Sequence, residues 1–359
     1  MKAGISLFSN KLDIFSLSLD ELQEVFSFLK LPSFRAKQVH HWLYNKHVWS
    51  FSKMTNIAKK EENLLENNFI ILPAELTLLN EIVSGDRLTK KLLLKFYDGN
   101  VVETVGMQHD YGNSVCVSSQ VGCAMGCAFC ASTVKGFVRN LTAGEMLAQV
   151  ALFQKIYSEK KERVDNIVIM GTGEPFLNYD EVIRFIRLLH DKDVYNISYR
   201  SITVSTCGIV PGIKKLATEK IPISLAVSLH APVDSLRSGL MPVNESYKIG
   251  DVMGAAEEYS RASKRQVTYE YLLIKGINDS VLCAQQLSVL LRGTLSNVNL
   301  IPLNSIGDKD WQSSDKKSIA IFLDILKKNN ISATVRKEMG ADIKAACGQL
   351  RVQYIGGEG

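Results

Sequence analysis

The chain has 359 residues, 46% hydrophobic and 22% charged, a balance that excludes a mostly disordered, collagenous or coiled-coil protein and suits one large domain with an appendage. Lys and Arg total 42 against 37 Asp and Glu, giving a formal charge of +5, which permits nucleic-acid binding without demonstrating it. No apolar run approaches the ~20 residues of a membrane span. Ser6, Ser9, Asn10, Lys11 and Asp13 also interrupt the stretch a secretory leader would need, so a cytoplasmic protein is expected.

In chain order, residues 1–85 read as a small helical accessory domain. Leu17–Leu31 and Arg35–Tyr44 have helical spacing, with Ser18 or Asp20 as caps and Pro32 as a breaker, and a charged helix follows over Ile57–Asn67. The plain role for this unit is to cap the core; for nucleic acid it would offer Arg35, Lys37, His40, His41, Lys46 and Trp49. Residues 86–110 form a β-hairpin connector, Leu88–Phe96 and Asn100–Met107 joined at Tyr97-Asp98-Gly99. From residue 111 to 352 the pattern becomes strand, loop, helix, repeated, and 353–359 is a tail. Strands are expected at Val115–Ser118, Asn166–Met170, Ser201–Thr206, Ile223–Ser228, Val267–Ile274, Asn297–Pro302 and Ala333–Arg336. Helices are expected at Ala143–Tyr157, Tyr179–His190, Val210–Thr218, Ile249–Arg261, Val281–Arg292 and Lys316–Lys328, the first opened by a capping box, Thr142-x-x-Glu145. Six strand–helix units and a last strand predict an α/β fold, a parallel sheet curled into a partial (βα)6 barrel with its chemistry at the C-terminal strand ends.

An odd count of seven cysteines argues against a disulfide framework and toward metal or thiol chemistry. Cys123, Cys127 and Cys130 form a C-x3-C-x2-C loop after the first barrel strand. A structural zinc site takes four protein ligands, and so does an ordinary [4Fe–4S] cluster. Three thiolates would leave one iron open to a substrate; the alternative is zinc completed by Cys116 or a distant residue. Gly122 and Gly126 suit a backbone wrapped tightly around such a group.

The loop and its surroundings resemble the radical S-adenosylmethionine (SAM) enzymes, and among them the RlmN and Cfr adenosine methyltransferases of RNA. The resemblance spans nearly the whole chain. It rests on Val117-Ser118-Ser119-Gln120-Val121-Gly122-Cys123, Gly136-Phe137-Val138-Arg139-Asn140-Leu141, Gly171-Thr172-Gly173-Glu174-Pro175, Ser228-Leu229-His230-Ala231, Leu240-Met241-Pro242 and Ala345-Ala346-Cys347-Gly348-Gln349-Leu350. It implies a partial (βα)6 barrel of the radical SAM type and a [4Fe–4S] cluster on Cys123, Cys127 and Cys130, with SAM on the open iron. Gly173, Glu174, Ser205, Ser228, Leu229, His230 and Asn304 match the SAM-binding positions. Cys347 matches a cysteine that takes a methyl group from a first SAM; a 5′-deoxyadenosyl radical from a second then abstracts hydrogen from it, and the methylene adds to adenine. Glu103 matches the proton acceptor, and Cys116 the thiol that resolves the protein–RNA adduct through a transient disulfide with Cys347. On alternation alone Glu103 would be a solvated strand position, and Cys116 a buried structural thiol. Cys207 and Cys283 match no catalytic position and read as structural.

The implied activity is formation of 2-methyladenosine in the peptidyl-transferase centre of 23S rRNA and beside the anticodon of some tRNAs. The expected partners are RNA and a flavodoxin-like electron donor, with a monomeric chain and no membrane. Phosphates would meet Arg35, Lys37, Lys46 and the Lys135–Arg139 stretch. Thr172 stands where the family usually has Met, and Cys207 where it has Ser or Val, departures that bear on cofactor affinity rather than reaction class. Pro175 is the RlmN-type residue, where Cfr-type members have Ala, and favours carbon 2 over carbon 8. The alternatives are Cfr-type methylation at carbon 8, an inactive Fe–S or zinc RNA-binding protein, and a radical SAM enzyme of small molecules.

Overall fold

The computed structural model describes residues 7–8, 11–304, 311–337 and 339–345. The N-terminal unit holds strands β1 (Leu7–Phe8) and β2 (Lys11–Asp13), helices α1 (Leu19–Phe28), α2 (Ser33–Tyr44) and α3 (Lys59–Asn68), strand β3 (Phe69–Ile70) and the short helix α4 (Leu72–Glu75). It is therefore not purely helical: β1, β2 and β3 form a small sheet under the helices. Helix α1 starts where a capping box forms, the Ser18 hydroxyl accepting from the Glu21 amide at 3.3 Å and the Glu21 carboxylate accepting from the Ser18 amide at 2.9 Å. Leu22 and Phe26 of α1 and Ala36, Val39 and Leu43 of α2 then bury one face of each helix.

Three antiparallel strands follow, β4 (Thr77–Val83), β5 (Thr89–Lys95) and β6 (Val101–His109), and then β7 (Gly112–Cys116). A two-stranded ribbon, β8 (Gln120–Gly122) and β9 (Phe137–Asn140), leads into α5 (Ala143–Ser158). The rest alternates: β10 (Val164–Ile169), α6 (Tyr179–His190), β11 (Ile202–Thr206), α7 (Val210–Thr218), β12 (Ser224–Ser228), α8 (Asp234–Leu240), α9 (Ile249–Ser263), β13 (Val267–Leu273), α10 (Val281–Leu290), β14 (Ser296–Pro302), α11 (Lys316–Lys328) and β15 (Ser332–Val335).

Among the described residues the main sheet runs β15-β14-β13-β12-β11-β10-β7-β6-β5-β4. From β7 to β15 neighbours are parallel, each crossing through a helix, which gives the α/β partial barrel that six strand–helix units imply. The segment Thr77–Val83, placed with the helical unit from sequence, instead hydrogen-bonds along β5 and extends the sheet on its antiparallel side.

The N-terminal unit docks on the start of α5. Ser16 Oγ accepts from the Gly144 amide at 3.0 Å and donates to Asp13 Oδ2 at 2.5 Å, and all three groups are buried. Arg184 of α6 adds hydrogen bonds to the Ser16 carbonyl and an ion pair with Glu21 at 2.6 Å. Among the described residues no helix is long and apolar enough to cross a membrane.

Candidate functional site

The cysteine loop leaves β8 and returns on β9, so the pairs Gln120–Asn140, Val121–Arg139 and Gly122–Phe137 close its base. Gly122 and Gly126 take positive φ angles of 74° and 66°, turns an L side chain disfavours. Amide bonds from Cys123 to the Gly136 carbonyl (3.1 Å) and from Ala128 to the Leu240 carbonyl (2.9 Å) tie the loop to its own base and to α8. All three loop cysteines face one cavity of about 160 Å³. Burial pushes the Cys123 thiol up to about 11 and Cys127 higher still, Cys123 being further raised by Cys130 and Cys127 by both Cys130 and Cys123. The buried guanidinium of Arg237 opposes this at Cys127.

The other wall of this cavity is made by strand ends. Gly173, Glu174, Ser205, Ser228, His230 and Asn304 all line it, so six of the seven cofactor positions converge there; Leu229 is fully buried behind it. Gly173 has φ 115°, and a Cβ at that position would stand 2.7 Å from the Gln120 side chain. Glu174 is buried and accepts from the amides of Cys207 (2.7 Å) and Phe176 (3.0 Å); burial raises its pKa and these bonds lower it. His230 is held in the left-handed region, φ 56°, with Nδ1 accepting from the Leu272 amide at 2.9 Å. Burial, with Arg237 nearby, lowers its pKa to about 3, so the ring is neutral and carries its proton on Nε2.

A second cavity, of about 560 Å³, shares Met170, Ile301, Asn304 and Arg336 with the first and contains Cys116 in its wall. Cys116 ends β7 opposite Val105 of β6, so Glu103, two residues along β6, lies on the same face of the sheet. Glu103 is 5% exposed, which replaces the solvated position that alternation alone suggests, and its Oε1 lies 3.4 Å from Lys91 Nζ. Lys91 also donates to the Lys344 carbonyl at 3.3 Å, and Ala345 packs, as Met107 does, against the cluster that Val105 forms with Cys116. Cys347 itself lies outside the described residues.

Several lining residues escape a reading of the sequence. Cys207, taken there as structural, lines the first cavity beside Glu174 because it follows the end of β11. Glu270 of β13 also lines it, buried and bonded to Asn299 at 2.8 Å. Arg237 is wholly buried and donates to carbonyls of Cys207, Ser228 and Leu229 at the strand ends. A charged residue in an apolar-poor helix such as α8 gives no signal of this.

Three residues suggested for nucleic acid are engaged inside the protein. Arg35 pairs with Glu61 at 2.9 Å, His40 is buried against Tyr44, and Arg139 forms a two-pronged bond to Glu145, 2.8 Å on each prong. Lys37, His41, Lys46 and Lys135 are exposed.

Comparison with known proteins agrees with this geometry. Residues 117–282 match the radical SAM superfamily model, and residues 12–71 the ribosomal RNA large subunit methyltransferase N-terminal domain. A curated dual-specificity RNA methyltransferase RlmN of Clostridium botulinum is 47% identical over 343 residues, covering 96% of this chain and 99% of that one. Its counterpart in Lachnoclostridium phytofermentans is 48% identical, with 96% of each chain covered. The crystal structure of a radical SAM methyltransferase from Sphaerobacter thermophilus, 44% identical, superposes with a TM-score of 0.92 over 94% of this chain and 99% of the other. Fold and site together define a radical SAM enzyme. Within that class the chain belongs to the RlmN family of RNA methyltransferases.

The class uses a [4Fe–4S] cluster and SAM, and the residues present fit both. Among the described residues no group of three His, Cys, Asp or Glu side chains stands close enough to hold a single metal ion, and Cys123, Cys127 and Cys130 instead line one cavity from separate positions of their loop. A cluster takes one thiolate on each iron and suits thiols spread around a cavity. Holding a cluster would require Cys123, Cys127 and Cys130 as thiolates, since a metal binds the deprotonated sulfur.

Proposed function

We propose that this chain methylates carbon 2 of an adenosine in the peptidyl-transferase centre of 23S rRNA, and of the anticodon-adjacent adenosine of some tRNAs, using two SAM molecules per turnover. The relatives at 47–48% identity are named for dual-specificity RNA methylation, and Pro175 is the RlmN-type residue. The observation that carries the mechanism is the path of the C-terminal segment: Ala345, two residues before Cys347, packs against the Val105–Cys116 cluster and lines, with Cys116, a cavity that shares walls with the one holding the three loop cysteines.

In this reading Cys123, Cys127 and Cys130 hold the cluster, and Gly173, Glu174, Ser205, Ser228, Leu229, His230 and Asn304 hold SAM. The bound cofactors supply the electron and the carbon-centred radical chemistry that an electrophilic aromatic carbon requires. Cys347, as thiolate, takes the methyl group from the first SAM. Glu103, buried on the face that carries Cys116, accepts the proton lost when the ring regains aromaticity. The Cys116 thiol, losing its proton, then attacks the Cys347 sulfur; the sulfur–carbon bond breaks with its electron pair left on the RNA-borne carbon, which takes up a proton to become the methyl group, and a disulfide remains. The adenosine, drawn from folded RNA, is extruded to reach the cavity. A flavodoxin-like protein is the expected electron donor.

Nucleoside mass spectrometry of RNA from a host lacking its own enzyme, with and without this gene, tests the reading. Gain of 2-methyladenosine is expected; 8-methyladenosine would move the assignment to the Cfr type, and neither product would overturn it. Cys347→Ala is expected to abolish the product and keep its iron, whereas Cys127→Ala is expected to lose the iron. Loss of iron from Cys347→Ala would contradict the role given to that residue.

A further inference from the structure

The cavity that has Cys116 in its wall is also lined by two aromatic side chains to which the reaction gives no task. His109 and Tyr111 belong to the tight turn between β6 and β7, where His109 pairs with Gly112. Their rings stack with centroids 4.6 Å apart and planes 6° from parallel. Tyr111 is 75% exposed, so the stack presents an open ring to solvent.

The turn that carries them is fixed in place. Gly112 has φ 124°, and an added Cβ would meet Asp165 Oδ2 at 2.7 Å. That same oxygen accepts from the Asn113 amide at 2.9 Å, while Glu162 accepts from Gln108 at 3.0 Å and Asn113 at 3.1 Å. Arg336 and Lys337 line the same cavity. Burial and these two cations hold the His109 imidazole below its ordinary range, against the smaller opposing effect of Asp110. A single exposed aromatic needs no explanation. A rigid stacked pair beside two cations, on a cavity that a flipped base must enter, is the arrangement with which proteins hold unpaired nucleobases.

We propose that the His109–Tyr111 pair is a stacking platform for an unpaired base of the RNA substrate adjoining the methylated adenosine. This rests on the reading under Proposed function. The test uses the full-length, cluster-loaded chain and a 23S rRNA fragment carrying the adenosine, measuring Kd by fluorescence anisotropy and KM for methylation over a salt series. Tyr111→Ala and Tyr111→Leu are each expected to raise Kd and KM about tenfold or more, and Tyr111→Phe to keep both near the parent values. The slope of log affinity against log salt is expected to stay unchanged, because a lost stack releases no counterions. Parent-like affinity in Tyr111→Ala, or retention of affinity by Tyr111→Leu, overturns the platform while leaving the methyltransferase reading intact. A fall in the salt slope also overturns it, since the turn would then be contacting phosphate. If the parent chain neither binds nor methylates the fragment, the functional reading fails and the platform with it.

Discussion

Replacing Arg237 by Met removes a side chain that ties three strand-end carbonyls to α8. Its guanidinium has no exposure and donates to Leu229 O (3.2 Å), Ser228 O (3.2 Å), Cys207 O (2.6 Å), Tyr247 O (3.3 Å) and Asn244 Oδ1 (2.9 Å). Hydrogen bonds from a charged donor contribute about 1.5–3 kcal/mol each. Five of them exceed the several kcal/mol that burying the cation costs, a cost visible in the depressed Arg237 pKa. Met fills similar space but leaves five acceptors, three of them buried, without the guanidinium donor, so a net loss of about 3–5 kcal/mol is expected. The assay is urea unfolding of the purified chain, read as a lower midpoint at an unchanged slope. Arg237→Lys, which keeps the charge but not the planar fork, is expected to recover less than half of the loss. A loss below about 1 kcal/mol for Arg237→Met would refute the view that these bonds hold the strand ends in place.

Two further outcomes follow from buried charges. Burial raises the Asp13 pKa from 3.8 to about 7, with smaller contributions from Glu145 and Glu181 against the hydrogen bonds of Ser16 and Phe15. Between these values the folded chain binds a proton that the unfolded chain has released, so stability falls as pH rises from about 4 to about 7, by up to roughly 4 kcal/mol. Asp13→Asn is expected to flatten that window in urea midpoints taken across it; an unchanged slope would count against the raised pKa. Lys91→Met removes the ammonium paired with the Glu103 carboxylate, both side chains being 6% exposed, and removes the bond to the Lys344 carbonyl. A destabilisation of about 3–5 kcal/mol by the same measurement is expected, with Lys91→Arg milder.

The sheet and most of its crossovers were legible because most of the helices between its strands carry local signals that need no tertiary context. Tyr179–His190, Val210–Thr218 and Lys316–Lys328 coincide with their expected spans, the last because Asp315 accepts from the Ser318 amide and the amphipathic period runs out at Asn329. Strand β4 was not legible: its residues are mostly exposed, Asn80 and Glu81 break the alternation, and only backbone bonds to β5 define it. Helix α8 was missed for a related reason. Its Asp-Ser-Leu-Arg-Ser-Gly-Leu run has low helix propensity and is held by the tertiary bonds of Arg237. In the site, a C-x3-C-x2-C spacing announces itself, whereas Cys207 and Glu270 enter the cavity only because β11 and β13 end beside it.

The antiparallel strands β4 to β6 have a consequence beyond widening the sheet. A parallel partial barrel that stopped at β7 would present that strand's open edge and give the C-terminal segment nothing to lie on. Here the Gly85 amide, in the β4–β5 turn, donates to Asp342 Oδ2 at 2.8 Å, and Gly340 passes Thr89 so closely that a Cβ would stand 2.7 Å from its methyl group. Lys91 holds the Lys344 carbonyl, and Ala345 packs on the cluster of Val105 and Cys116. These contacts run in order along residues 340–345, so the chain is fixed repeatedly before it reaches Cys347. Burying Lys91 beside Glu103 costs desolvation that an apolar pair would avoid. The cost is intelligible if the same ammonium must hold a carboxylate and a loop carbonyl at fixed places on one face, as a proton acceptor and a methyl-carrying cysteine acting on one adenine would require.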